Sequence, residues 1–264
     1  PCIAYAAFKI QSINENANMI VAASDHVIFE EDNFVKVVMN CLDVVSKNDI
    51  LLTLGITPTR PETGYGYIQF IEEKLDKYNN IRKVKTFTEK PDQDLALNFL
   101  DSGDFLWNSG IFIWSVKSII LAYRKYLRDI FDVFEEGKNF YNTSNEIEFI
   151  DRVFAGCKNI SIDYGIMEKS PNVYVFPANF GWNDLGTWGS LYTLLDHDKN
   201  RNAVQGDNIM LYDSGDNIIK LPNNKTAVIQ GLDGYIVVES QGVLLICKKE
   251  DEQKIKKFVA DLKV

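Results

Sequence analysis

The sequence contains few of the residues that form metal centres and disulfide frameworks. Among its 264 residues there are four cysteines and two histidines. The cysteines form no CxxC pair, and neither histidine has a second ligand at a suitable spacing, which argues against a zinc site. So few cysteines in a chain of this length are typical of reduced core thiols in a cytosolic protein.

The sequence also lacks long apolar runs and any excess of positive charge. No segment approaches the roughly 20 apolar residues that a membrane span needs, and no signal-peptide pattern is visible. The net charge of -9 argues against a general nucleic-acid or anionic-membrane surface. An anionic substrate would therefore need locally placed basic side chains, backbone amides or a metal ion.

The first ten residues follow a helical pattern. Ile3, Ala6, Ala7 and Ile10 lie on one stripe, and Pro1 suits the first helical position. Because the sequence opens with proline inside an amphipathic helix, we expect that a longer natural chain extends upstream. The alternative is a trimmed domain that opens at Pro1.

Next, a helix with two flanking apolar strands predicts an α/β sheet. Residues 19–23 and 50–54 are continuous apolar runs, and residues 34–45 carry a helical stripe that Asp32 or Asn33 would cap. Unbroken apolar strands on either side of a helix indicate a parallel sheet covered on both faces. Ligands of such sheets bind at the carboxyl ends of the strands, where residues 25 and 55–67 fall.

The same alternation continues to about residue 200 and then changes. The patterns predict further strands over residues 82–89, 106–114 and 173–176. They predict further helices over residues 92–100, 119–134 and 149–154. After residue 201, short apolar segments separated by Gly, Asn and Asp predict a small all-β unit that ends in an amphipathic helix over 252–264. We therefore predict two domains, 1–200 and 201–264.

Two aspartates are candidate metal ligands. Asp25 follows a buried strand, and Asp184 lies in the turn GWNDLGTW, where two tryptophans favour burial. Asp184 either caps a helix that begins near Thr187 or binds a metal or substrate. Two carboxylates that meet at the mouth of the sheet would suit Mg²⁺, which prefers one or two carboxylates, waters and phosphate oxygens.

A loop and a strand end carry further candidates. Residues 55–67 contain two prolines, which stiffen a loop, and three glycines, which let backbone approach a ligand; the alternative is a rigid turn with packed tyrosines. Glu89 and Lys90 would point to opposite faces of a strand, so both reach one ligand only if the strand stops, as Pro91 suggests. Carboxylates accept hydrogen bonds from sugar hydroxyls and an ammonium neutralises phosphate; the alternative is a solvated surface pair.

Two later segments add polar groups. Asn108 offers the donors and acceptors that hydroxyl recognition needs. In the charged turn at residues 163–169, Glu168 and Lys169 either reach a phosphate or pair with each other.

The order of these motifs resembles the mannose-1-phosphate guanylyltransferases (GDP-mannose pyrophosphorylases) over nearly the whole chain. The EKP and Asp-bearing motifs are general to sugar nucleotidyltransferases, whereas PTRPETGYGYI is more specific to this branch. The motifs that carry the resemblance are GITPTRPETGYGYI, FTEKP, WNSGIFIW, SIDYGIMEKS and GWNDLGTW.

This resemblance implies a Rossmann-like nucleotide-diphospho-sugar transferase core, N-terminally truncated, followed by a small β domain and a C-terminal helix. The implied reaction joins mannose 1-phosphate to the α-phosphate of GTP, giving GDP-mannose and pyrophosphate by in-line attack with Mg²⁺. Related enzymes commonly self-associate, so a homodimer is expected. The cysteine content and the net charge predict a cytoplasmic protein without nucleic-acid or membrane partners. The implied residue roles are Mg²⁺ binding and catalysis by Asp25 and Asp184, catalysis and sugar-phosphate binding by Lys90, and sugar binding by Thr63, Gly64, Tyr65, Glu89 and Asn108.

One departure from the family pattern affects the expected activity. The family begins with a glycine-rich basic loop that cradles the GTP phosphates, and these 264 residues contain no such loop ahead of the sugar motifs. We expect that about two βα units are absent, at roughly 30 or more residues per βαβ unit, including a central strand. The fragment alone is then expected to be inactive. The alternatives are a non-catalytic sugar-nucleotide-binding or regulatory subunit and a glucose-1-phosphate nucleotidyltransferase.

Overall fold

The computed structural model describes residues 1–75 and 78–262, which form two compact units, Pro1–Trp182 and Asn183–Val264. The division falls before the short helix Trp188–Tyr192, so this helix belongs to the second unit. The predicted domains 1–200 and 201–264 place the boundary later, and that assignment stays a prediction.

The first unit is a mixed sheet flanked by helices. Its strands are β1 (Asn18–Val21), β2 (Val27–Ile28), β3 (Leu51–Ile56), β4 (Gly66–Leu75), β5 (Tyr78–Glu89), β6 (Phe105–Ser115) and β7 (Val173–Ala178). Its α-helices are α1 (Cys2–Ile13), α2 (Glu31–Lys47), α3 (Gln93–Ser102), α4 (Val116–Tyr126), α5 (Arg128–Glu136) and α6 (Glu146–Phe154). The main sheet has the order β1-β6-β3-β7-β5-β4, and β6 also pairs with β4. The predicted α/β fold class is confirmed.

Strand direction departs from the prediction of a parallel sheet. β3 and β7 are parallel, with Leu51 opposite Val173, but β6 runs antiparallel to β1, β3 and β4. The prediction was wrong here because an unbroken apolar strand indicates burial on both faces but does not indicate whether the strand runs parallel or antiparallel to its neighbours. β6 is also apolar and largely buried, since it lies inside the sheet.

Helices cover both faces of the sheet and form its two large cores, and a smaller buried cluster contains Ile68, Leu106 and Val175. One face packs on α1, α4, α5 and α6, and the other packs on α2 and α3. Because successive strand residues point to opposite faces, Leu51 and Trp114 enter the first core, whereas Leu52 and Ile113 enter the second. Full burial of such a side chain contributes about 1.5–3 kcal/mol, so the two cores hold the strand ends in place.

The helix ends correct two details of the sequence prediction. The single helix expected over 119–134 is divided into α4 and α5 at Leu127, whose φ of -134° and ψ of 59° are not helical. The apolar stripe continues across this break because both helices bury their apolar side chains in the same core. Neither Asp32 nor Asn33 caps α2; Glu30 occupies the cap position, and Asn33 Nδ2 donates to the Asn179 carbonyl at 2.7 Å.

All four cysteines are free thiols, but their environments differ. Cys41 lies in the second core, where burial raises the pKa of its thiol to about 12. Cys2 is exposed, so the expectation of core thiols was wrong for this residue. Over the described ranges, no helix is both long and apolar enough to cross a membrane.

The second unit is built mainly from stacked strands. Its elements are β8 (Trp182–Asn183), α7 (Trp188–Tyr192), β9 (Ala203–Gln205), β10 (Asn208–Tyr212), β11 (Ile218–Lys220), β12 (Thr226–Gln230), β13 (Tyr235–Ser240), β14 (Val243–Lys248) and α8 (Ile255–Asp261). The first residue of β8 is also the last residue of the first unit. The C-terminal helix was predicted over residues 252–264. The structure has a 3-10 turn (Lys249–Lys254) followed by α8, and residues 263–264 of the predicted helix lie outside the described residues.

Parallel pairing in this second unit produces an internal repeat. β9, β11 and β13 stack in parallel, with Ala203, Ile218 and Ile236 at the same register position. The buried asparagines that precede β9 and β11 also stack, since Asn217 Nδ2 donates to Asn202 Oδ1 at 2.9 Å. The polar residues that separate the short apolar segments therefore include asparagines that support the stacked strands from inside.

Candidate functional site

The loop between β3 and β4 is held by one buried carboxylate. Glu62 is 8% exposed; its Oε2 accepts a hydrogen bond from Arg60 Nη2 at 2.9 Å, and its Oε1 accepts one from the Gly64 N–H at 3.2 Å. The Glu62 N–H in turn donates to the Tyr67 hydroxyl at 2.9 Å. These bonds fix the turn at Thr63 and Gly64, which the sequence singles out as a sugar-binding element.

Tyr65 packs in an aromatic cluster of the first unit. Its ring meets the rings of Trp107 and Trp182 edge-on, with centroid distances of 5.2 and 5.3 Å. The side chain is 5% exposed, so it supports the loop by packing. The Tyr65 carbonyl accepts a hydrogen bond from the Lys90 N–H at 3.1 Å, which joins the loop to the end of β5. Its predicted contact with a sugar stays a prediction.

The end of β5 brings Glu89 and Lys90 to one side. β5 ends at Glu89, and Lys90 has a φ of 47°, a left-handed conformation that turns the chain. Lys90 Nζ then lies 3.1 Å from Glu89 Oε1, so the two side chains form the exposed pair that the sequence left open as the alternative, and their shared ligand stays a prediction. The Lys90 and Glu89 side chains are 53% and 36% exposed, so both groups remain accessible to a solute.

Gly66 makes room for the Glu89 carboxylate. The two residues are paired across β4 and β5, and a Cβ at Gly66 would lie 2.6 Å from Glu89 Oε2. The same Cβ would lie 3.5 Å from the Cβ of Asn108. Glu89 and Asn108 therefore lie on either side of a position that only glycine leaves open.

Asn108 has both ends of its side-chain amide bonded. Its Nδ2 donates to Asp163 Oδ1 at 2.9 Å, and its Oδ1 accepts from the Gly110 N–H at 3.2 Å. Burial raises the pKa of Asp163, and the charge of nearby Glu89 raises it further. Burial also raises the pKa of Glu168, with added contributions from Asp163 and Glu89. The sequence did not single out Asp163, because only folding brings it to Asn108.

The segment after β1 lies beside the same strand β6. Asp25 is exposed, and the next residue, His26, accepts a hydrogen bond at Nδ1 from Trp182 Nε1 at 3.1 Å. A Cβ at Gly110 would lie 3.8 Å from the His26 ring. His26 and its bond to Trp182 thus fix the segment that carries Asp25 near the strand that carries Asn108.

The comparisons with known proteins identify the family of this chain. Residues 1–201 match the family described as nucleotidyl transferase. The chain belongs to the nucleotidyl transferase family. The resemblance predicted from the motifs is thereby confirmed.

Named relatives of this nucleotidyl transferase chain agree with that assignment. It is 36% identical to a mannose-1-phosphate guanylyltransferase of Salmonella muenchen, over 100% of this chain and 55% of the relative. It is 32% identical to the alginate biosynthesis protein AlgA of Pseudomonas aeruginosa, over 99% of this chain and 54% of the relative. The chain thus spans about half the length of these curated relatives.

A solved structure shares the fold of this nucleotidyl transferase chain. It is a Thermus thermophilus protein named mannose-1-phosphate geranyltransferase, 26% identical, with a TM-score of 0.80. The match covers 99% of this chain and 75% of that protein.

In this nucleotidyl transferase chain, Asp184 lies in the second unit and does not cap a helix. Its Oδ1 accepts a hydrogen bond from the Gly186 N–H at 2.9 Å, which closes a short turn. Thr187 caps α7 instead, since its hydroxyl accepts from the Ser190 N–H at 3.0 Å. In the part of the chain that the structure describes, no group of three or more His, Cys, Asp or Glu side chains is placed to hold a metal ion.

Proposed function

We propose that this chain is the nucleotidyltransferase part of a mannose-1-phosphate guanylyltransferase, which makes GDP-mannose and pyrophosphate from mannose 1-phosphate and GTP. The names of the curated relatives support this assignment, and so does the order of the sequence motifs. The observation that carries it is the arrangement of Glu89 and Asn108 around Gly66, with Lys90 3.1 Å from Glu89.

These groups have the chemistry that a sugar phosphate requires. The Glu89 carboxylate accepts hydrogen bonds from hydroxyls, and the Asn108 amide both donates and accepts. The Lys90 ammonium is a compact positive charge suited to a phosphate. The fixed turn at Thr63 and Gly64 supplies backbone near the sugar, and Tyr65 supports it from behind. Glu89, Asn108 and Lys90 together would hold the sugar phosphate in one orientation for the reaction.

Mg²⁺ is the metal that we propose for this function, with Asp25 and Asp184 as its ligands. The support is the family resemblance of the motifs that carry Asp25 and Asp184, whose carboxylates suit an ion that prefers one or two carboxylates together with waters and phosphate oxygens. When bound, Mg²⁺ offsets the charge that develops on phosphate oxygens during transfer. Asp25 and Asp184 would each supply a carboxylate oxygen to the ion, and Lys90 would hold the sugar phosphate.

The proposal has several finer parts. These 264 residues alone are proposed to bind the sugar phosphate without turnover, because they contain no glycine-rich basic loop ahead of the sugar motifs. The four free thiols favour the cytoplasm as the compartment, and a homodimer is proposed from the family resemblance. The two rival functions are a non-catalytic regulatory subunit and a glucose-1-phosphate nucleotidyltransferase.

Calorimetry with mannose 1-phosphate, glucose 1-phosphate and mannose tests this proposal. Mannose 1-phosphate is expected to bind more tightly than the other two. Lys90→Ala is expected to weaken the binding of mannose 1-phosphate about tenfold, because the ammonium that would pair with the phosphate is removed. The binding of mannose, which has no phosphate, should change much less. Lys85→Ala, on the exposed part of the same strand, serves as the control and should bind as the wild type does.

Two results would contradict the proposal. Equal or tighter binding of glucose 1-phosphate would favour the glucose-specific enzyme. Measurable synthesis of GDP-mannose by the 264-residue chain with GTP and Mg²⁺ would refute the proposed inactivity of the fragment.

A further inference from the structure

Asp163 has no role in the proposed site, yet it holds one of its members. Its Oδ1 accepts the hydrogen bond from Asn108 Nδ2 at 2.9 Å, across 55 residues of sequence. The other end of the Asn108 amide accepts from the Gly110 N–H at 3.2 Å. The two bonds define which end of the amide is the donor, because Asp163 only accepts when ionised and a backbone N–H only donates.

The turn that carries Asp163 is itself firmly fixed. Asp163–Met167 forms a π-helical turn, a rare geometry that is frequent at functional sites. The Gly165 N–H donates to the Ser161 carbonyl, and the Glu168 N–H donates to the Asp163 carbonyl, both at 2.9 Å. A Cβ at Gly165 would lie 2.8 Å from Leu127 Cδ1, so the turn packs tightly against the break between α4 and α5.

This support determines what Asn108 presents to a ligand. With one Nδ2 hydrogen and one Oδ1 lone pair already used, the amide retains one donor and one acceptor at known positions. Without Asp163, only the hydrogen bond from the Gly110 N–H would oppose a half-turn of the amide, which would exchange its donor and acceptor. A site that distinguishes sugar hydroxyls by hydrogen bonding needs the donor end and the acceptor end of the amide fixed in place. Functional groups must be held within about 0.5 Å of their working geometry.

We propose that Asp163 is a positioning residue for hexose-phosphate recognition, which acts on the sugar hydroxyls through the side-chain amide of Asn108. This inference rests on the proposed function. The ligand class that it specifies is a hexose phosphate whose hydroxyls meet a fixed donor and a fixed acceptor at Asn108.

Calorimetry of the 264-residue chain with mannose 1-phosphate gives the first test. Asp163→Ala is expected to weaken binding about tenfold, as for the loss of one hydrogen bond that orients a ligand contact. Asp163→Asn should stay within about threefold of the wild type, because its side-chain oxygen still accepts from Asn108. Asp151→Ala, an exposed position on α6, is the control and should leave binding unchanged. Equal loss in the Ala and Asn variants would overturn the proposal, since the charge and not the support of Asn108 would then matter.

A double-mutant cycle separates support from direct contact. In an Asn108→Ala background, Asp163→Ala should have no further effect on the binding of mannose 1-phosphate, because the residue through which it acts is gone. Additive losses would refute the inference, since Asp163 would then act independently of Asn108.

A third readout needs no sugar and keeps the two proposals separate. The side-chain NH₂ resonances of Asn108 are measured by NMR in the wild type, Asp163→Ala and Asp163→Asn. The Ala variant should shift them, whereas the Asn variant should largely restore them. If mannose 1-phosphate does not bind to the wild type, the proposed function fails. If the Asn108 resonances do not respond to Asp163→Ala, the positioning role fails.

Discussion

Gly66→Ala is expected to weaken the binding of mannose 1-phosphate at least tenfold while leaving the fold intact. The added Cβ would lie 2.6 Å from Glu89 Oε2, whereas ordinary contacts begin at 3.4 Å. The carboxylate oxygen must therefore move by about 0.8 Å, which exceeds the roughly 0.5 Å tolerance of a functional group. Loss of a hydrogen bond to a charged group costs about 1.5–3 kcal/mol, and 1.4 kcal/mol is a factor of ten in Kd.

The same substitution should change stability by less than about 1 kcal/mol. Gly66 has no positive φ, so alanine meets no backbone strain there. Replacing glycine by alanine inside a strand gains roughly 0.5–1 kcal/mol, and this gain offsets the cost of moving the Glu89 side chain. Binding and stability are therefore expected to respond differently to one methyl group.

Calorimetry and urea unfolding on the same samples measure the two effects. Gly156→Ala is the matched control, because its added Cβ would have the Val153 carbonyl as its nearest neighbour, at 3.7 Å. That variant should match the wild type in Kd. The reasoning is refuted if Gly66→Ala binds mannose 1-phosphate as tightly as the wild type, or if its loss of binding equals its loss of folded protein.

Two further predictions concern stability. Hydrogen bonds from Lys9 and Tyr5 lower the pKa of Glu146 to about 2 from its ordinary value of 4.5, so its stabilising contribution is present at neutral pH and is lost as the pH falls toward 2. Urea unfolding should show Glu146→Gln less stable than the wild type at pH 7, with the difference shrinking by pH 3; a constant difference would contradict the assignment. Asn217→Ala should cost about 3 kcal/mol, because its side chain bonds Asn202, the Leu232 carbonyl and the Tyr235 N–H, whereas exposed Asn208→Ala should cost little. Thermal unfolding compares the two, and equal melting temperatures would refute the role of the stacked asparagines.

Local patterns predicted most of the elements but not how the strands pair. The helical stripe over residues 34–45 and the apolar run at 50–54 became α2 and β3, because burial on one face or both leaves a periodic trace in the sequence. The direction of β6 left no such trace. The break at Leu127 was also hidden, since the apolar stripe runs on through it while the backbone does not.

The candidate site was predictable where a residue type implies a chemistry. Pro91 indicated that β5 stops near Glu89, but it could not indicate the left-handed backbone of Lys90. Glu62 and Asp163 were missed because their partners are set by folding. Glu62 bonds within its own loop, and Asp163 reaches an amide on a distant strand. Buried polar residues such as Glu62 and Asp163 follow no periodic pattern, so the sequence alone does not distinguish them from solvated loop residues.

The Glu62 carboxylate has a consequence for the thermodynamics of binding. Ordering a residue costs roughly 1–2 kcal/mol of backbone entropy, and a loop without such bonds would meet that cost each time a ligand bound. Because Arg60 and the Gly64 N–H are already bonded to Glu62, the turn is ordered during folding. Ligand contacts made there can therefore appear almost in full as affinity, and the association rate is not limited by closure of this loop.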